Sequence, residues 1–203
     1  DMYSRITPKT KAVFIANPNN PTGTMVAKDE MEWFLGKIDE DILVVIDEAY
    51  FEYVDDPSYP DSLDYMGLGK SILTVRTFSK IYGLAGMRLG YGIGPEGMVS
   101  NMHKARHPFN TSSLAQVAAI AALDDAEHVR KSKEMNSKGL DYLGAELVKL
   151  GVEHAPSHAN FILVNLGGDP MPVYNALLRE GVIVRPVGIY GLKTHLRVSV
   201  GLQ

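Results

Sequence analysis

The feature that most constrains the fold is a series of short, largely apolar runs, bounded by Asn, Asp, Pro or Gly, in the first half of the chain. Such runs are typical of strands buried on both faces. Between the first two runs, Met31, Phe34, Leu35 and Ile38 recur at the spacing of one helix face. Because parallel strands need a crossover connection, this alternation predicts an α/β fold with a mainly parallel sheet and helices on both faces. The predicted strands are 12–16, 42–46, 71–75 and 89–93.

Two further helices are predicted in the middle of the chain. Residues 112–123 are rich in alanine, and either Ser112 or Ser113 can cap their N-terminus. A longer helix is predicted from about residue 127 to residue 150, and it ends at Gly151, a residue type favoured just beyond a helix C-terminus. Its apolar stripe comprises Leu140, Leu143, Leu147 and Leu150.

The last part of the chain predicts a second, smaller α+β unit. Apolar runs at 161–166, 182–184 and 196–200 indicate strands, and a helix is predicted at 173–180. The long helix joins this unit to the first, with a boundary near residue 127. The predicted domains are therefore 1–126 and 127–203.

Composition excludes several classes of protein. Of the 203 residues, 45% are hydrophobic and 22% are charged, so a disordered, collagen-like or coiled-coil chain is excluded. A formal charge of -4 provides no basic surface for nucleic acid or an anionic membrane, and no run approaches the roughly 18 apolar residues of a membrane span. Cysteine is absent, which excludes disulfides and cysteine-ligated metal and permits a cytoplasmic location. We therefore expect small-molecule substrates, no nucleic acid, no membrane and no metal.

Polar motifs follow the predicted strands, at the points where open α/β sheets bind ligands. The loop 17–23 reads Asn-Pro-Asn-Asn-Pro-Thr-Gly; alone it is typical of a rigid turn, but Asn20 can also present its amide to a ligand oxygen. After the second strand, Asp47 can meet a cation or a protonated ring nitrogen. Tyr50 can present its hydroxyl to the same ligand, although an aromatic residue here is more often a packing residue.

The segment 76–88 reads Arg-Thr-Phe-Ser-Lys-Ile-Tyr-Gly-Leu-Ala-Gly-Met-Arg. An isolated Lys80 would be interpreted as a surface residue. However, Thr77 and Ser79 precede it and Arg88 follows it by eight residues, and arginine binds phosphate through a bidentate fork. A neighbouring cation or burial would make the Lys80 amine nucleophilic. The segment therefore predicts a reactive lysine beside an anion site.

Another arginine, Arg197, lies within the alternating sequence His-Leu-Arg-Val-Ser at the end of the chain. An arginine that points inward from a strand needs an anion, whereas one that points outward is a surface residue. The alternation alone leaves both interpretations open.

A reactive lysine with an anion site, an acid and a phenol is the set of groups expected around pyridoxal 5'-phosphate (PLP). The motifs Asn-Pro-Asn-Asn-Pro-Thr-Gly, Asp-Glu-Ala-Tyr and Arg-Thr-Phe-Ser-Lys, followed by Arg88, resemble those of the fold-type I aminotransferases of classes I and II, in particular the histidinol-phosphate branch. The resemblance implies that residues 1–126 are part of a large PLP-binding domain and that residues 127–203 form the linking helix and a small C-terminal α+β domain. It also implies a cytoplasmic homodimer.

The resemblance assigns cofactor contacts to the motif residues. Lys80 is the covalent attachment point of PLP and the carrier of the proton during the reaction. Asp47 pairs with the pyridinium nitrogen, and Tyr50 and Asn20 bond to the ring hydroxyl oxygen. The PLP phosphate is bound by Thr77, Ser79 and Arg88.

Substrate contacts are implied in the same way. Arg197 holds the substrate anion, Asn20 lies beside it, and Arg185 assists. The implied reaction is transamination between histidinol phosphate and imidazole-acetol phosphate, with glutamate and 2-oxoglutarate as the second pair, in histidine biosynthesis.

The resemblance covers residues 1–203 but not the whole family protein. The chain opens without Met and closes directly after a predicted strand, and the early glycine-containing loop, the ring-stacking aromatic residue and the last helix of the family have no counterpart in it. We therefore expect a fragment that lacks the N-terminal part and last helix, and expect the isolated chain to hold PLP weakly.

Other functions share these motifs. A PLP-dependent decarboxylase of a phosphorylated amino acid would use every one of them, and so would an aromatic or aspartate aminotransferase. An effector-binding domain of a transcription regulator, derived from an aminotransferase, is an alternative of a different class.

Three other motifs fail on detail. The segment 67–71 faintly resembles a phosphate-binding loop, but Asp64 stands where that loop needs glycine. The glycines of 92–97 match a dinucleotide-binding pattern without the acidic strand end that must follow. His103 and His107 have helical spacing, but no glutamate follows His103, so a zinc site is not expected.

Overall fold

The computed structural model describes residues 2–202, which divide into two compact units. The first unit comprises the chain up to Pro18 together with Val26–Val129, and the second comprises Asn19–Met25 together with the chain from Arg130 onward. The two terminal residues, Asp1 and Gln203, at which a fragment is expected to begin and end, lie outside the described residues.

The first unit is built on a four-stranded sheet with the order β1-β2-β3-β4. The first three strands are parallel, and β4 is antiparallel to β3. This confirms the α/β class and the mainly parallel sheet. The strands are β1 Ala12–Ala16, β2 Leu43–Asp47, β3 Ile72–Thr77 and β4 Gly90–Ile93.

The core of the first unit lies between this sheet and helix α1, Lys28–Lys37. All four residues of the predicted apolar stripe are buried, which confirms the periodicity argument; fully burying one such side chain contributes about 1.5–3 kcal/mol. On the other face of β1, which is the first strand in the sheet order, Phe14 is 73% exposed. The core comprises Val13, Ile15, Met31, Phe34, Leu35, Ile38, Ile42, Val44, Ile46, Tyr65 and Ile72.

Three more helices begin in the first unit. Helix α2, Glu96–Ala105, was not predicted from the sequence. Helix α3, Ser113–Leu123, is capped by Ser112, whose hydroxyl accepts a hydrogen bond from the Ala115 amide at 3.1 Å. Helix α4, Ala126–Lys149, matches the predicted long helix within one residue at each end, and Gly151 follows it with a φ of 68°.

The second unit contains a four-stranded sheet with the order β5-β6-β8-β7, in which every pair is antiparallel. Helix α5, Met171–Arg179, connects β6 to β7. The buried Asn136 of α4 donates from Nδ2 to the Ala159 carbonyl at 3.0 Å. The strands are β5 Glu153–His154, β6 Phe161–Asn165, β7 Arg185–Pro186 and β8 His195–Ser199.

Two predictions in this part of the chain are wrong. Residues 182–184 do not form a strand, because the Val182 amide bonds to the Leu177 carbonyl and closes the end of α5; pairing with β8 begins only at Arg185. Leu150 was placed on the buried stripe of the long helix, but it lies beyond the helix end and is 74% exposed.

The remaining helical elements are single 3-10 turns. They are Tyr3–Arg5, Phe51–Tyr53, Ser62–Tyr65, Ala85–Met87 and Gly188–Tyr190. No helix within residues 2–202 has both the length and the apolar character needed to cross a membrane.

Candidate active site

The carboxylate of Asp47 lies where β2 ends, at the edge of the sheet where the parallel strands of the first unit all terminate. The Asp47 carbonyl accepts a hydrogen bond from the Asn17 amide at 2.9 Å, which fixes the end of β2 against β1. The side chain is exposed, and its Oδ1 accepts from the Ala49 amide at 3.0 Å. Asp47 is therefore oriented by its own turn and still presents carboxylate surface to a ligand.

The amine of Lys80 lies against Tyr50. The Lys80 Nζ is 5.4 Å from the centroid of the Tyr50 ring, and Tyr50 is only 4% exposed. Lys80 itself is half-buried in the turn that follows β3. A cation beside an aromatic face is attracted by the ring quadrupole, so this contact holds the amine near the strand ends. The structure thus brings two of the predicted catalytic residues together.

The two hydroxyl residues and Arg88 are linked through the junction of β3 and β4. The Thr77 hydroxyl accepts a hydrogen bond from the Ser79 amide at 3.0 Å and donates to the Leu89 carbonyl at 3.4 Å. Arg88 directly precedes Leu89, and its exposed guanidinium donates from Nη1 to the Ala85 carbonyl at 3.0 Å. Hydroxyls, backbone N–H groups and a guanidinium are the donor set that a phosphate needs.

Arg88 has a backbone conformation that is uncommon for its residue type. Its φ of 52° and ψ of 46° lie in the left-handed region. This conformation costs a residue with a Cβ about 1–2 kcal/mol. Non-glycine residues held in this way occur often at ligand sites, where the strain positions a functional group.

In the second unit, Asn20 bonds to Arg197. The Arg197 Nη1 donates to the Asn20 Oδ1 at 2.6 Å, and the guanidinium carbon lies 4.8 Å from the centroid of the Phe161 ring. The Arg197 Nε is buried and has no hydrogen-bond partner among the described residues. A buried N–H without an acceptor is costly, so this donor fits a site for an anionic ligand. The inward interpretation of Arg197 is the one that the geometry supports.

Arg185 stands directly opposite Arg197 in the pairing of β7 with β8. Like charges at opposed positions destabilise a sheet, and an anion between them would remove this cost. Both arginines line a cavity of about 540 Å³ whose other walls are mainly apolar. The remaining lining residues are Met171, Tyr174, Ile183, Val184, Pro186, Ile189 and Ser199.

The other asparagines of the 17–23 loop have structural roles. Asn17 is 1% exposed and bonds to Val26 twice: its Nδ2 donates to the carbonyl at 3.0 Å, and its Oδ1 accepts from the amide at 2.8 Å. The Asn19 Nδ2 donates to the Thr22 hydroxyl at 2.8 Å. The Asn17–Pro18 and Asn20–Pro21 peptide bonds are cis. Of the three asparagines, Asn20 is therefore the one whose side chain reaches Arg197.

Replacing Gly23 by alanine is expected to destabilise the loop that carries Asn20. Gly23 has a φ of 77°, and an added Cβ would lie 2.3 Å from the Ser157 Oγ and 2.8 Å from the Ser157 Cβ. We expect a loss of about 1–3 kcal/mol in the free energy of unfolding, measured by urea denaturation. The matched control is Gly36→Ala in α1, where a Cβ meets nothing within 4 Å, and it should change stability by less than about 1 kcal/mol, in the stabilising direction.

Sequence reasoning missed a buried ion pair between Glu48 and Arg76. Glu48 is 1% exposed, and its Oε2 accepts a hydrogen bond from the Arg76 Nε at 2.8 Å. Burial raises the pKa of Glu48, and attraction to Arg76 opposes that shift. An arginine within an otherwise apolar strand needs an anion, and that rule could have identified the pair from the sequence.

Within residues 2–202, no group of three His, Cys, Asp or Glu side chains lies close enough to hold a metal ion. The His103 Nδ1 instead accepts a hydrogen bond from the Arg106 Nε at 3.0 Å.

Comparison with known proteins identifies the family. The sequence profile described as aminotransferase class I and II matches residues 1–203. The chain belongs to the class I and II aminotransferase family. A family member named histidinol-phosphate aminotransferase, from Moorella thermoacetica, is 48% identical over 203 residues, which are 100% of this chain and 53% of that protein. A relative of the same name from Caldicellulosiruptor saccharolyticus is 43% identical over 203 residues, 57% of its length.

Solved structures of the aminotransferase family have the same fold. The crystal structure of histidinol-phosphate aminotransferase from Sinorhizobium meliloti in complex with pyridoxal-5'-phosphate superposes with a TM-score of 0.86 at 30% sequence identity. The match covers 93% of this chain and 52% of that one. The chain thus spans about half the length of the curated relatives it matches.

Proposed function

We propose that the protein is a PLP-dependent aminotransferase that interconverts histidinol phosphate and imidazole-acetol phosphate, with glutamate and 2-oxoglutarate as the second pair. The observation that carries this proposal is the placement of the Lys80 amine 5.4 Å from the ring centroid of the buried Tyr50, beyond the strand ends where Asp47 also lies. The names of the relatives supply the substrate class. Histidine biosynthesis in the cytoplasm and a homodimeric assembly are parts of the same proposal.

The donor set of the first unit fits PLP by chemistry. An aldehyde needs a primary amine, which Lys80 offers, and a pyridinium nitrogen needs a carboxylate, which Asp47 offers. A phosphate needs several donors, and these are the hydroxyls of Thr77 and Ser79 and the guanidinium of Arg88. Each residue type matches one group on the cofactor.

When bound, PLP supplies an electron sink for the carbanion that forms when a proton leaves the amino-acid Cα. The Asp47 carboxylate keeps the ring nitrogen protonated through a charge-assisted hydrogen bond worth about 1.5–3 kcal/mol. The Lys80 Nζ, once free, takes the proton from the substrate and returns it at the neighbouring carbon. Within the first unit, Tyr50 would donate to the ring hydroxyl oxygen and orient the ring.

Anion recognition is the proposed role of the second unit. The Arg197 guanidinium has one buried donor without a partner, and Arg185 doubles the positive charge at the same point of the sheet. Both proposed substrate pairs carry an anion, a carboxylate in glutamate and a phosphate in histidinol phosphate. The uncompensated charge of the two arginines suits either anion. In this proposal, residues 1–126 belong to the cofactor-binding domain. Residues 127–203 form the linking helix and the substrate-binding domain.

The test is an absorbance spectrum of the gene product that contains these 203 residues, mixed with PLP. We expect a band for lysine-bound cofactor that converts to the amine form when glutamate is added and returns with imidazole-acetol phosphate. An aspartate aminotransferase would instead respond to aspartate and oxaloacetate in place of the imidazole substrates. Release of carbon dioxide from a phosphorylated amino acid, without any need for a 2-oxo acid, would contradict the proposal.

A further inference from the structure

A buried ionic network in the first unit includes none of the residues assigned to cofactor or substrate. Its centre is Arg76, whose side chain is 11% exposed. The Arg76 Nε donates to the Glu48 Oε2 at 2.8 Å, and the Arg76 Nη2 lies 2.8 Å from the same oxygen and 3.0 Å from the Asp61 Oδ1. One guanidinium near the end of β3 therefore joins this strand to the residue that follows β2 and to the turn at Asp61.

Further contacts fix the orientation of this guanidinium. Its carbon lies 3.7 Å from the centroid of the Phe51 ring, and Tyr91 stands opposite Arg76 in the pairing of β3 with β4. The Glu48 Oε1 accepts a hydrogen bond from the Ser62 amide at 3.2 Å. Stacking on one face and hydrogen bonds along the edge leave the guanidinium a single arrangement.

The turn that carries Lys80 packs against the same pair of strands. The Phe78 ring centroid lies 5.5 Å from that of Tyr91, the residue opposite Arg76 on β4, and 5.2 Å from that of Tyr82. Burial raises the pKa of Glu52, which lies in the 3-10 turn that follows Tyr50, and the charge of Arg76 opposes that shift.

Three members of the network lie directly beside residues of the proposed cofactor site in the chain. Glu48 follows Asp47, Arg76 precedes Thr77, and Phe51 follows Tyr50. Successive side chains on a strand point to opposite faces, so Arg76 can be buried beside a Thr77 that faces elsewhere. A shift of the guanidinium would therefore act on the backbone next to three of the proposed cofactor residues.

Stability alone does not explain such a network. Removing charges from water costs several kcal/mol per ion, and well-packed apolar side chains in place of a buried pair are often equally stable. Burial on its own would lower the pKa of Arg76, but the attraction and hydrogen bond of Glu48 together with the attraction of Asp61 raise it. The arrangement therefore keeps a fixed, planar, charged fork in the interior, which apolar side chains cannot reproduce.

We propose that Arg76 is a positioning residue that holds the turns of Asp47, Thr77 and Lys80 in the geometry needed for PLP, without touching the cofactor. The expected effect on PLP binding rests on the proposed function, but the positioning of the two turns can be measured in the ligand-free protein.

The first arm of the test is amide hydrogen exchange in the gene product without PLP, for wild type and Arg76→Met. The Ala49 amide bonds to the Asp47 side chain and the Ser79 amide bonds to the Thr77 hydroxyl, so peptides containing these two amides report on the turns. We expect exchange to accelerate at least about tenfold in these two peptides and not in α5. The matched control is Arg130→Met, which breaks a surface pair between side chains that are 60% and 50% exposed.

The second arm is the dissociation constant of PLP, measured by absorbance below the unfolding temperature of each variant. We expect an increase of about tenfold or more for Arg76→Met and no change for Arg130→Met, because small displacements of positioned groups strongly weaken what they bind. If Arg76→Met does not fold, Arg76→Lys replaces it, because it retains the charge without the fork, and we expect an increase of at least about threefold.

The outcomes separate the two proposals. A lower unfolding temperature with unchanged exchange at the two peptides and an unchanged dissociation constant would overturn the positioning role. Faster exchange at both peptides together with weaker PLP binding supports it. If the wild-type protein binds no PLP, the proposed function fails, whereas the exchange arm still supports or rejects the positioning of the two turns.

Discussion

Replacing Lys80 by alanine is expected to lower the transamination rate by at least about 10³-fold, because the change removes both the covalent attachment point and the proton carrier. The fold should be retained, since Lys80 is half-buried in a turn and its contact is with the ring of Tyr50. The measurement is the mass of the protein after incubation with PLP and reduction with borohydride. Wild type should gain one cofactor on the peptide that contains residue 80, and Lys80→Ala should gain none there.

The matched control for this experiment is Lys104→Ala. Lys104 lies on α2, where its exposed amine donates a hydrogen bond to the Asn101 Oδ1 at 3.0 Å. Its replacement should leave both the labelled peptide and the rate unchanged. If the peptide that contains residue 80 gains as much cofactor in Lys80→Ala as in wild type, Lys80 is not the attachment point of PLP, whatever the effect on the rate.

The fold of the first unit could be predicted because its apolar runs are long enough to decide between strand and helix. Strand β1 was predicted at its observed bounds, and β2 was displaced by one residue, because Asp47 completes the ladder through its backbone while its side chain is polar. Helix α2 was not predicted. Its sequence mixes Gly97 and Ser100 with only four apolar residues among ten, so its local pattern is weak.

Boundaries in the second unit depend on contacts that lie far apart in sequence. The apolar residues 182–184 have strong strand propensity, but pairing with β8 begins at Arg185. Intrinsic propensity favours Val and Ile in strands, but the hydrogen-bonded pairing of a strand depends on which residues lie opposite it on the neighbouring strand. This is the information that a single sequence does not contain.

The candidate site, like the fold, could be predicted from the sequence only in part. Its residue types are visible because they follow strand ends, where the chemistry of open α/β sheets is expected. The partner of Asn20 could not be found in this way, since Arg197 lies 177 positions further along the chain. The network of Arg76 was missed for a different reason: its residues lie beside the motif residues, and only the motif residues were assigned a role from the sequence.

A second large effect is expected when the charge of Asp47 is removed. Asp47→Asn should lower the transamination rate by about tenfold to a few hundredfold, which corresponds to the 1.5–3 kcal/mol of a hydrogen bond between charged groups. An asparagine Oδ1 can still accept the bond from the Ala49 amide, and the position is exposed, so the free energy of unfolding should change by less than about 0.5 kcal/mol. A lower transamination rate with an unchanged free energy of unfolding would therefore be due to the lost charge of Asp47.

The conservative choice of asparagine makes this result specific. If Asp47 only terminates β2 and shapes its turn, asparagine should serve equally well, and rate and stability would both stay at wild-type values. If the carboxylate keeps a ring nitrogen protonated, a neutral amide cannot replace it, and the rate should fall while urea denaturation is unchanged. Asp141→Asn, at an exposed position on α4, controls for the loss of one negative charge and should alter neither quantity. A rate within about twofold of wild type for Asp47→Asn would show that this carboxylate does not act on the cofactor.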